Sequence, residues 1–279
     1  MTIDTRRSGC HETTKTRKGV PVSRFRAFVA LGVFAALFLV PVLAYAQRGQ
    51  GGPPAAPPAP QAAAPIDLTG YWVSMVVDEW RFRVSPQKGD ILYLPLNAEA
   101  RQTANAWDPA KDEADGKSCK SYGAVGLMQR PGRLHITWEN PTTLKVEADA
   151  GTQTRLLRFG PAPAEKGPPS LQGYSVADWQ TPGGGRRGAA PTGPRRGNLR
   201  AVTTNLLPGY IRKNGVPHSE KAVLTEYFNL LTGQQNDVYF VVTAMVEDPT
   251  YLTQPFVRTY QFKKLADATG WEPTACWNR

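Results

Sequence analysis

Histidine and cysteine are scarce in this sequence, with three of each among 279 residues. They form no HxH, HExxH or CxxC spacing, so no local motif for a metal site exists. The G-x-S-x-G turn of α/β-hydrolases is missing, and the glycine run 183–185 neither follows a clear strand nor opens a helix. We therefore expect neither a metal nor a cofactor. A metal site could arise only if the fold brought His135 and His218 to a distant carboxylate.

Positive charge is plentiful, but it is concentrated outside the predicted folded part. The whole chain has a net charge of +10. Residues 1–46 hold seven Lys or Arg against two acids, which leaves 26 bases, 21 acids and a net charge of +5 for the remainder. The arginines behind this excess lie in segments rich in Gly, Pro and Ala: Arg48, Arg186, Arg187, Arg195 and Arg196. Because nucleic-acid binding needs a clustered basic face on a folded element, the sequence argues against that function.

An uncharged apolar run from Ala27 to Ala46 predicts export from the cytoplasm. Two arginines precede the run and Ala44-Tyr45-Ala46 ends it, which is the arrangement of a signal peptide with a small-x-small cleavage site. The run is also close to the ~20 residues that span a bilayer, so an uncleaved anchor is the alternative, and only that form would contact a membrane. Pro41 favours cleavage after Ala46, because it breaks the helix near that site. We expect residues 1–46 to be removed and the remainder to fold in the periplasm or outside the cell.

Cysteine usage agrees with export. Cys10 leaves with the signal peptide, so the mature chain keeps an even pair, Cys119 and Cys276. Because disulfides persist outside the cytoplasm, we expect these two residues to be bridged and to tie the C-terminal part of the chain to the middle of the domain. Two buried free thiols are the alternative.

Two segments of biased composition flank or interrupt the predicted domain. Gln47–Pro65 has no acid and no large apolar side chain, so it cannot bury enough surface to fold and is predicted to be a disordered, partly polyproline spacer. Residues 182–197 are rich in Gly, Pro and Arg and are predicted to be a long mobile loop between strands. The folded domain is then expected over residues 66–279.

The strongest structural signal in the domain is alternation of apolar with polar residues. The apolar members of this alternation are Leu134, Ile136, Trp138, Leu144, Val146 and Ala148. Asn140–Thr142 separates the two runs and predicts a hairpin turn with Glu139 opposite Thr143. A second tight turn at Asp149–Thr152 leads into Thr154–Phe159, so the pattern predicts a three-strand meander.

Further strands are predicted at residues 70–84, 199–205, 222–230, 238–246 and 257–263, which gives at least eight strands in all. Residues 97–115 form the one convincing helical segment, because Asn97 can cap it and Glu99 follows in the first turn. Many strands of similar length joined by short turns favour a mainly β fold, built as a closed or nearly closed antiparallel barrel with one short helical excursion.

Two resemblances sharpen this expectation. Leu68-Thr-Gly-Tyr-Trp72 resembles the Gly-x-Trp motif that opens the first strand of lipocalins and related calycin barrels, where the Trp closes the barrel base. Four further stretches resemble a family of uncharacterised exported bacterial proteins: Pro131–His135, Asp149–Arg155, Leu224–Phe228 and Val246–Phe256. The similarity runs from about residue 66 to residue 276. It implies an exported protein and a single antiparallel lipocalin-like barrel, and it transfers no activity.

The polar face of the predicted hairpin offers candidate catalytic residues. The expected register places His135 opposite Glu147, and a carboxylate beside an imidazole can orient it as a general base. If that face lined the barrel interior, this pair, assisted by Arg155, could carry proton-transfer chemistry such as hydration, isomerisation or hydrolysis. The alternative is an ordinary solvent-facing ladder of opposite charges.

Aromatic residues point to a binding function instead. Trp72 and Trp80 are expected on one face of the first strand together with Phe82, and Trp138 and Tyr227 can approach from other strands. In a small barrel such rings either fill the core or wall an apolar pocket. We therefore expect the protein to bind a small, mainly apolar ligand in its barrel. An enzyme on the same scaffold is one alternative, and an envelope interaction module tethered by the spacer is another.

Overall fold

The structure is a computed structural model that describes residues 56–182 and 196–277. The chain separates into two compact units, Met1–Ala56 and Pro57–Arg279. All the helices and strands of the described chain lie in the second unit. The predicted signal peptide, residues 47–55 of the predicted spacer and residues 183–195 of the predicted mobile loop lie outside the described residues. Within the described ranges, no helix is long and apolar enough to cross a bilayer.

The described chain is built mainly from eleven strands. They are β1 Gly70–Met75, β2 Arg133–Asn140, β3 Thr143–Ala148, β4 Gln153–Phe159, β5 Tyr174–Gln180, β6 Asn198–Thr204, β7 Gly209–Arg212, β8 Val216–His218, β9 Val223–Thr232, β10 Val238–Glu247 and β11 Phe256–Leu265. Nine of them close into a barrel in the order β1-β11-β10-β9-β6-β5-β4-β3-β2, and β7 pairs with β8 in a separate hairpin. The expected mainly β barrel is confirmed, and a closed nine-strand barrel is compatible with a calycin-like fold.

Strand pairing around the barrel is antiparallel with one exception. β1 pairs with both β2 and β11, which closes the barrel. β4 and β5 run parallel, with Leu157 opposite Ser175, because the connection between them crosses from one end of the barrel to the other. The predicted antiparallel arrangement therefore holds for all barrel pairs in the described chain except this one.

Short helices cover the barrel rather than form a layer of their own. They are α1 Pro60–Ala63, α2 Trp80–Arg83, α3 Ala98–Ala106, α4 Pro109–Ala114 and α5 Ala124–Leu127, with 3-10 turns at Ser118–Tyr122 and Gln234–Asn236. The predicted helical segment begins as expected, since the Asn97 side chain accepts a hydrogen bond from Ala100 N at 2.9 Å. It is two helices instead of one, because Pro109 disfavours helical backbone at Asp108, whose side chain then caps α4.

The barrel interior is filled by side chains that alternate along each strand with outward-facing ones. Trp72 is fully buried, its indole N–H donates to Leu68 O at 2.9 Å, and its ring meets Phe240 edge-on at 4.7 Å. Other fully buried side chains include Ile136, Leu144, Leu157, Leu199, Phe228 and Phe262. Each such side chain contributes about 1.5–3 kcal/mol relative to full exposure. The middle of the barrel is therefore a packed core.

The first strand is shorter than predicted. The expectation of a strand over residues 70–84 is wrong, because β1 ends at Met75 and residues 80–83 form α2. Arg83 folds the chain back over the end of β1: its guanidinium donates to Met75 O at 2.9 Å and to Ser74 Oγ at 2.7 Å. Trp80 and Phe82 therefore do not share a strand face with Trp72.

The β2–β4 meander follows the prediction with one correction at its first turn. His135 pairs with Glu147 as expected. Asn140, rather than Glu139, pairs with Thr143, and a bulge before Asn140 absorbs the extra residue. The Asn140 side chain accepts hydrogen bonds from both the backbone N and the Oγ1 of Thr142 at 2.9 Å, which stabilises the tighter turn.

The two ends of the barrel are covered by different parts of the chain. The end at which β1 stops is called the arginine end, after the cluster Arg83, Arg130 and Arg212. Arg83 binds the end of β1 there, and α5 and the 3-10 turn Ser118–Tyr122 pack against β7 of the β7–β8 hairpin. The opposite end is called the aromatic end, after the cluster Trp138, Phe159 and Trp179. It is covered by residues 60–66.

Part of the predicted disordered spacer lies against the barrel. Residues 60–63 form α1, which differs from the extended spacer expected for Gln47–Pro65. The indole N–H of Trp179 donates to Pro60 O at 2.8 Å, and Gln61 N donates to Pro141 O at 3.1 Å. The barrel supplies here the apolar surface that the segment itself lacks.

The expected disulfide between Cys119 and Cys276 is present. It joins residues 157 positions apart and holds the C-terminal segment beside the β3–β4 turn, where Thr274 N donates to Asp149 O at 2.9 Å. Tyr122 adds a second attachment, since its hydroxyl donates to Trp277 O at 2.9 Å. Such a bridge is typical of proteins that fold outside the cytoplasm.

Candidate functional site

The aromatic end is closed by its own side chains. Phe159 packs on Trp179 with ring centres 5.0 Å apart and on Trp138 at 5.5 Å. A depression of about 370 Å³ lies beside Trp138 and is lined on its other side by residues 61–67. The rings at this end thus pack on one another and on the chain's own segment.

A buried ion pair occupies the middle of the barrel. Arg155 and Glu226 are 1% and 0% exposed, and the guanidinium donates to both carboxylate oxygens, at 3.1 and 2.6 Å. Arg155 Nη2 also lies 3.3 Å from Thr203 Oγ1, which is 2.7 Å from Ser175 Oγ. The two-pronged contact gives this buried arginine a full counter-charge.

The arginine end gathers three more buried guanidinium groups. Arg83, Arg130 and Arg212 are 2%, 5% and 2% exposed. Arg83 uses all its nitrogens on protein acceptors, because besides its bonds to β1 its Nε donates to Gln129 O at 3.2 Å. It is therefore anchored by neutral oxygens and not by a carboxylate.

Arg130 and Arg212 keep donors without a partner in the described chain. Arg130 follows α5, and its Nε donates to Gly126 O at 3.3 Å, while its Nη1 and Nη2 have no hydrogen-bond partner among the described residues. Arg212 on β7 lies 4.1 Å from the Phe82 ring, and its Nη1 is also without a partner there. An unmet buried donor is unfavourable, and a charged one is more so.

Direct ion pairs are few at the arginine end, although the charges of Asp78 and Glu79 act on Arg83 and that of Asp90 acts on Arg212. Glu79 is the one carboxylate of the described chain that forms an ion pair with these groups, at 3.8 Å from Arg212 Nη2. The same carboxylate also binds Arg258, whose Nε lies 2.9 Å from it. Glu79 therefore pairs with Arg212 and Arg258, and it forms no ion pair with Arg83 or Arg130.

The environment changes the pKa values of these side chains. Burial lowers the pKa of Arg130 to about 10, and neighbouring positive charge on Arg83 and Arg212 adds to this. Burial also lowers the pKa of Arg83 and of Arg212. The pKa of Tyr260, among these arginines, is raised to about 12, mainly by burial. Arg130 therefore stays charged at neutral pH in a place that disfavours its charge.

A pocket of about 210 Å³ opens beside this cluster. Its lining residues are Arg83, Val84, Tyr122, Arg130, Pro131, Ala150, Lys213, Thr274 and Trp277. Three of these are basic and, of the described residues that line it, none is acidic. Thr274 and Trp277 belong to the segment held by the disulfide, and Lys213 Nζ lies 4.5 Å from the Trp277 ring centre. Burial, followed by the charge of Arg130, lowers the pKa of Lys213. The pocket is a basic site with aromatic walls.

The four aromatic residues expected to contact a ligand are not brought together. Trp72 lies in the packed core and Trp138 at the aromatic end. Trp80 is on α2, with 68% of its surface exposed. Tyr227 alternates on β9 with buried Glu226 and Phe228, so it belongs to the outer wall.

The candidate catalytic pair lies on the outside of the barrel. His135 Nδ1 is 3.3 Å from Glu147 Oε2, and their side chains are 27% and 31% exposed. The imidazole stacks on Tyr71 at 4.1 Å, and Lys145 shares the carboxylate of Glu147 at 3.2 Å. Arg155 points to the interior, so the barrel wall separates it from this pair.

The second histidine lies on the separate two-stranded hairpin and not on the barrel. His218 on β8 is 1% exposed, its Nδ1 lies 3.1 Å from Ser219 O, and its Nε2 has no partner among the described residues. Burial lowers its pKa. Within the described ranges, no group of three or more potential metal ligands occurs.

Comparison of the chain with protein families, with curated proteins and with solved structures finds no match.

Sequence reasoning missed the residues of the arginine end. Arg130 follows the apolar stretch Ala124–Met128, and Arg212 follows Tyr210-Ile211 in a similar one. An arginine directly after a short apolar run is the signal that could have marked them, because the chain that buries the run can bury the arginine with it.

Proposed function

We propose that this chain is an exported barrel protein that binds a small molecule at its arginine end. The observation that carries the proposal is Arg130, a buried guanidinium with two unpartnered nitrogens, in a side chain that lines a pocket. Buried polar groups in folded proteins are nearly always bonded, so an exception marks a place where a partner is expected. Export is supported by the disulfide and by the signal-like N-terminal sequence.

The proposed position of the ligand follows from comparing the pocket at the arginine end with the middle of the barrel. Lipocalin-like proteins hold ligands inside the barrel, but here Trp72, Phe240 and their neighbours fill that space. The arginine end offers what a ligand site needs, namely a concave pocket, aromatic walls and converging polar groups. Binding at this end is therefore better supported than an apolar ligand in the middle of the barrel.

Binding is also better supported than catalysis. A general base must reach a proton on a held substrate, and His135 lies flat against Tyr71 on the outer wall with Glu147 shared by a lysine. The opposite charges there match a stabilising cross-strand ladder.

Native mass spectrometry of the protein, purified from the exported fraction without denaturation, tests the proposal. We expect a mass excess that disappears on denaturation, because a bound small molecule leaves with the fold. Trp277→Ala should reduce the bound fraction, since Trp277 is a wall of the pocket. Trp80→Ala is the matched control, because Trp80 is similarly exposed and lies outside that pocket.

Loss of the bound mass in Trp277→Ala but not in Trp80→Ala supports the site. Equal retention in both variants would place the ligand elsewhere. A protein without adduct, whose thermal stability no member of a small-molecule library changes, would contradict the proposed function.

A further inference from the structure

Arg155 and Arg130 differ in whether their terminal nitrogens have hydrogen-bond acceptors, and this difference indicates the chemistry of the ligand. Arg155 meets a carboxylate with both of its terminal nitrogens. Arg130 presents the same two nitrogens, Nη1 and Nη2, with no acceptor in the described chain. A guanidinium fork of this kind matches the two oxygens of a carboxylate or phosphate.

The positive charge around the pocket also favours an anionic ligand. A neutral ligand could accept hydrogen bonds from Arg130, but it would leave the positive charge in place. That charge is already disfavoured, because burial holds the pKa of Arg130 near 10 and two further arginines lie close by. An anion removes this excess, and Glu79 cannot, since it is engaged with Arg258 and Arg212.

Resting on the proposed function, we infer that the ligand carries an oxyanion, a carboxylate or a phosphate group, and that Arg130 binds it. Arg83 and Arg212 add to the positive field at the site without a direct contact being needed.

The walls of the pocket constrain the rest of the molecule. A volume of about 210 Å³ corresponds to roughly seven water molecules. Tyr122 and Trp277 supply aromatic walls, so a small planar body can pack between the anion and the opening. Benzoate combines a carboxylate with such a body, and inorganic phosphate has the charge without it.

The test is calorimetric titration of the full exported chain, after removal of co-purified ligand by dialysis, with benzoate, inorganic phosphate and benzamide. Benzamide is the matched neutral probe, because it has the shape of benzoate without the charge. We expect benzoate or phosphate to bind and benzamide to bind at least about tenfold more weakly. Benzoate alone indicates a carboxylate ligand, and phosphate alone indicates a phosphate ligand.

Three variants connect the binding to Arg130. Arg130→Met should weaken oxyanion binding at least about tenfold, and Arg130→Lys should weaken it less, since it keeps the charge and loses the fork. Arg200→Met is the control, because Arg200 lies on the outer wall with its side chain 41% exposed. Without ligand, Arg130→Met should melt at the same temperature as the unmodified protein or higher, because an uncompensated buried charge has been removed.

The outcomes separate this inference from the proposed function. Equal binding of benzamide and benzoate, unaffected by Arg130→Met, would overturn the oxyanion and leave small-molecule binding intact. Failure of both oxyanions to bind, together with a large loss of melting temperature in Arg130→Met and Arg130→Lys, would show that Arg130 is a structural residue. If native mass spectrometry also finds no bound molecule, the proposed function fails as well.

Discussion

The middle of the barrel and its arginine end both bury arginine side chains, but they treat the charge in opposite ways. At the middle, Arg155 and Glu226 are completely buried and bonded to each other through two contacts. At the arginine end, Arg130 is almost as deeply buried and has no carboxylate. Burial of a charge is tolerated when a partner is built into the chain, and the proposed oxyanion would supply at the arginine end the counter-charge that Glu226 supplies in the middle of the barrel.

Removing one member of the central pair should have the largest effect. We expect Glu226→Gln to lower the free energy of unfolding by about 3–5 kcal/mol, because Arg155 is left buried without a counter-charge. Urea unfolding followed by tryptophan fluorescence measures this change.

The double replacement Arg155→Met with Glu226→Met is the control for the central pair. It should recover much of the loss, since no lone charge remains. Arg155→Met alone should be strongly destabilising whereas Arg130→Met should not. Similar losses for these two single variants would mean that the two arginines play the same structural role.

Opening the disulfide should have the next largest effect. We expect Cys119→Ser with Cys276→Ser to lower the free energy of unfolding by about 2–5 kcal/mol, because a long loop is freed in the unfolded chain. Oxyanion binding should weaken as well, since Thr274 and Trp277 are held beside the pocket by this bridge.

Calorimetry and urea unfolding on the oxidised protein and on the Ser variant check both parts. Full oxyanion affinity in the Ser variant would show that hydrogen bonds from Tyr122 and Thr152 are enough to keep the C-terminal segment in place.

The smallest expected effect is a pH dependence from His218. Its folded pKa lies below the usual 6.5, so the unfolded state binds the proton more readily as the pH falls below about 6.5. The free energy of unfolding should therefore be highest above that value and decline below it, by at most about 1.4 kcal/mol per pH unit.

Urea unfolding between pH 5 and 8 measures this slope, which His218→Gln should reduce. His135→Gln serves as the control, because it removes a histidine from the outer wall and leaves His218 in place. A slope unchanged by His218→Gln would assign the acid sensitivity to other groups.

The local parts of the fold could be predicted from the sequence. Alternation of residues such as Leu134 and Ile136 with polar neighbours identified the β2–β3 hairpin, and Asn97 marked the start of a helix. The β7–β8 hairpin was missed because its residues are all buried, so no alternation distinguishes it. The end of β1 was misplaced because Arg83, which is eight residues from Met75 and 46 from Gln129, bends the chain through long-range bonds.

The candidate site could not be predicted from local sequence patterns, because its residues are far apart in the sequence. Arg130, Lys213 and Trp277 come from three separated segments, and only barrel closure and the disulfide bring them together. The register did predict that His135 faces Glu147, but it did not say which face of the sheet is inside. Burial of Leu134 and Ile136 decided that, and it placed the pair outside.

Closure of the barrel by β1 and β11 determines when the arginine end is completed during folding. These strands lie near opposite ends of the described chain, so their pairing is among the contacts of highest sequence separation. Contacts of this kind are slow to form, because a long stretch of chain must first be brought together. β11 also carries Tyr260 and Arg258 into the arginine end, so we expect this end of the barrel to be completed, and affinity for the proposed ligand to appear, only after the late pairing of β1 with β11.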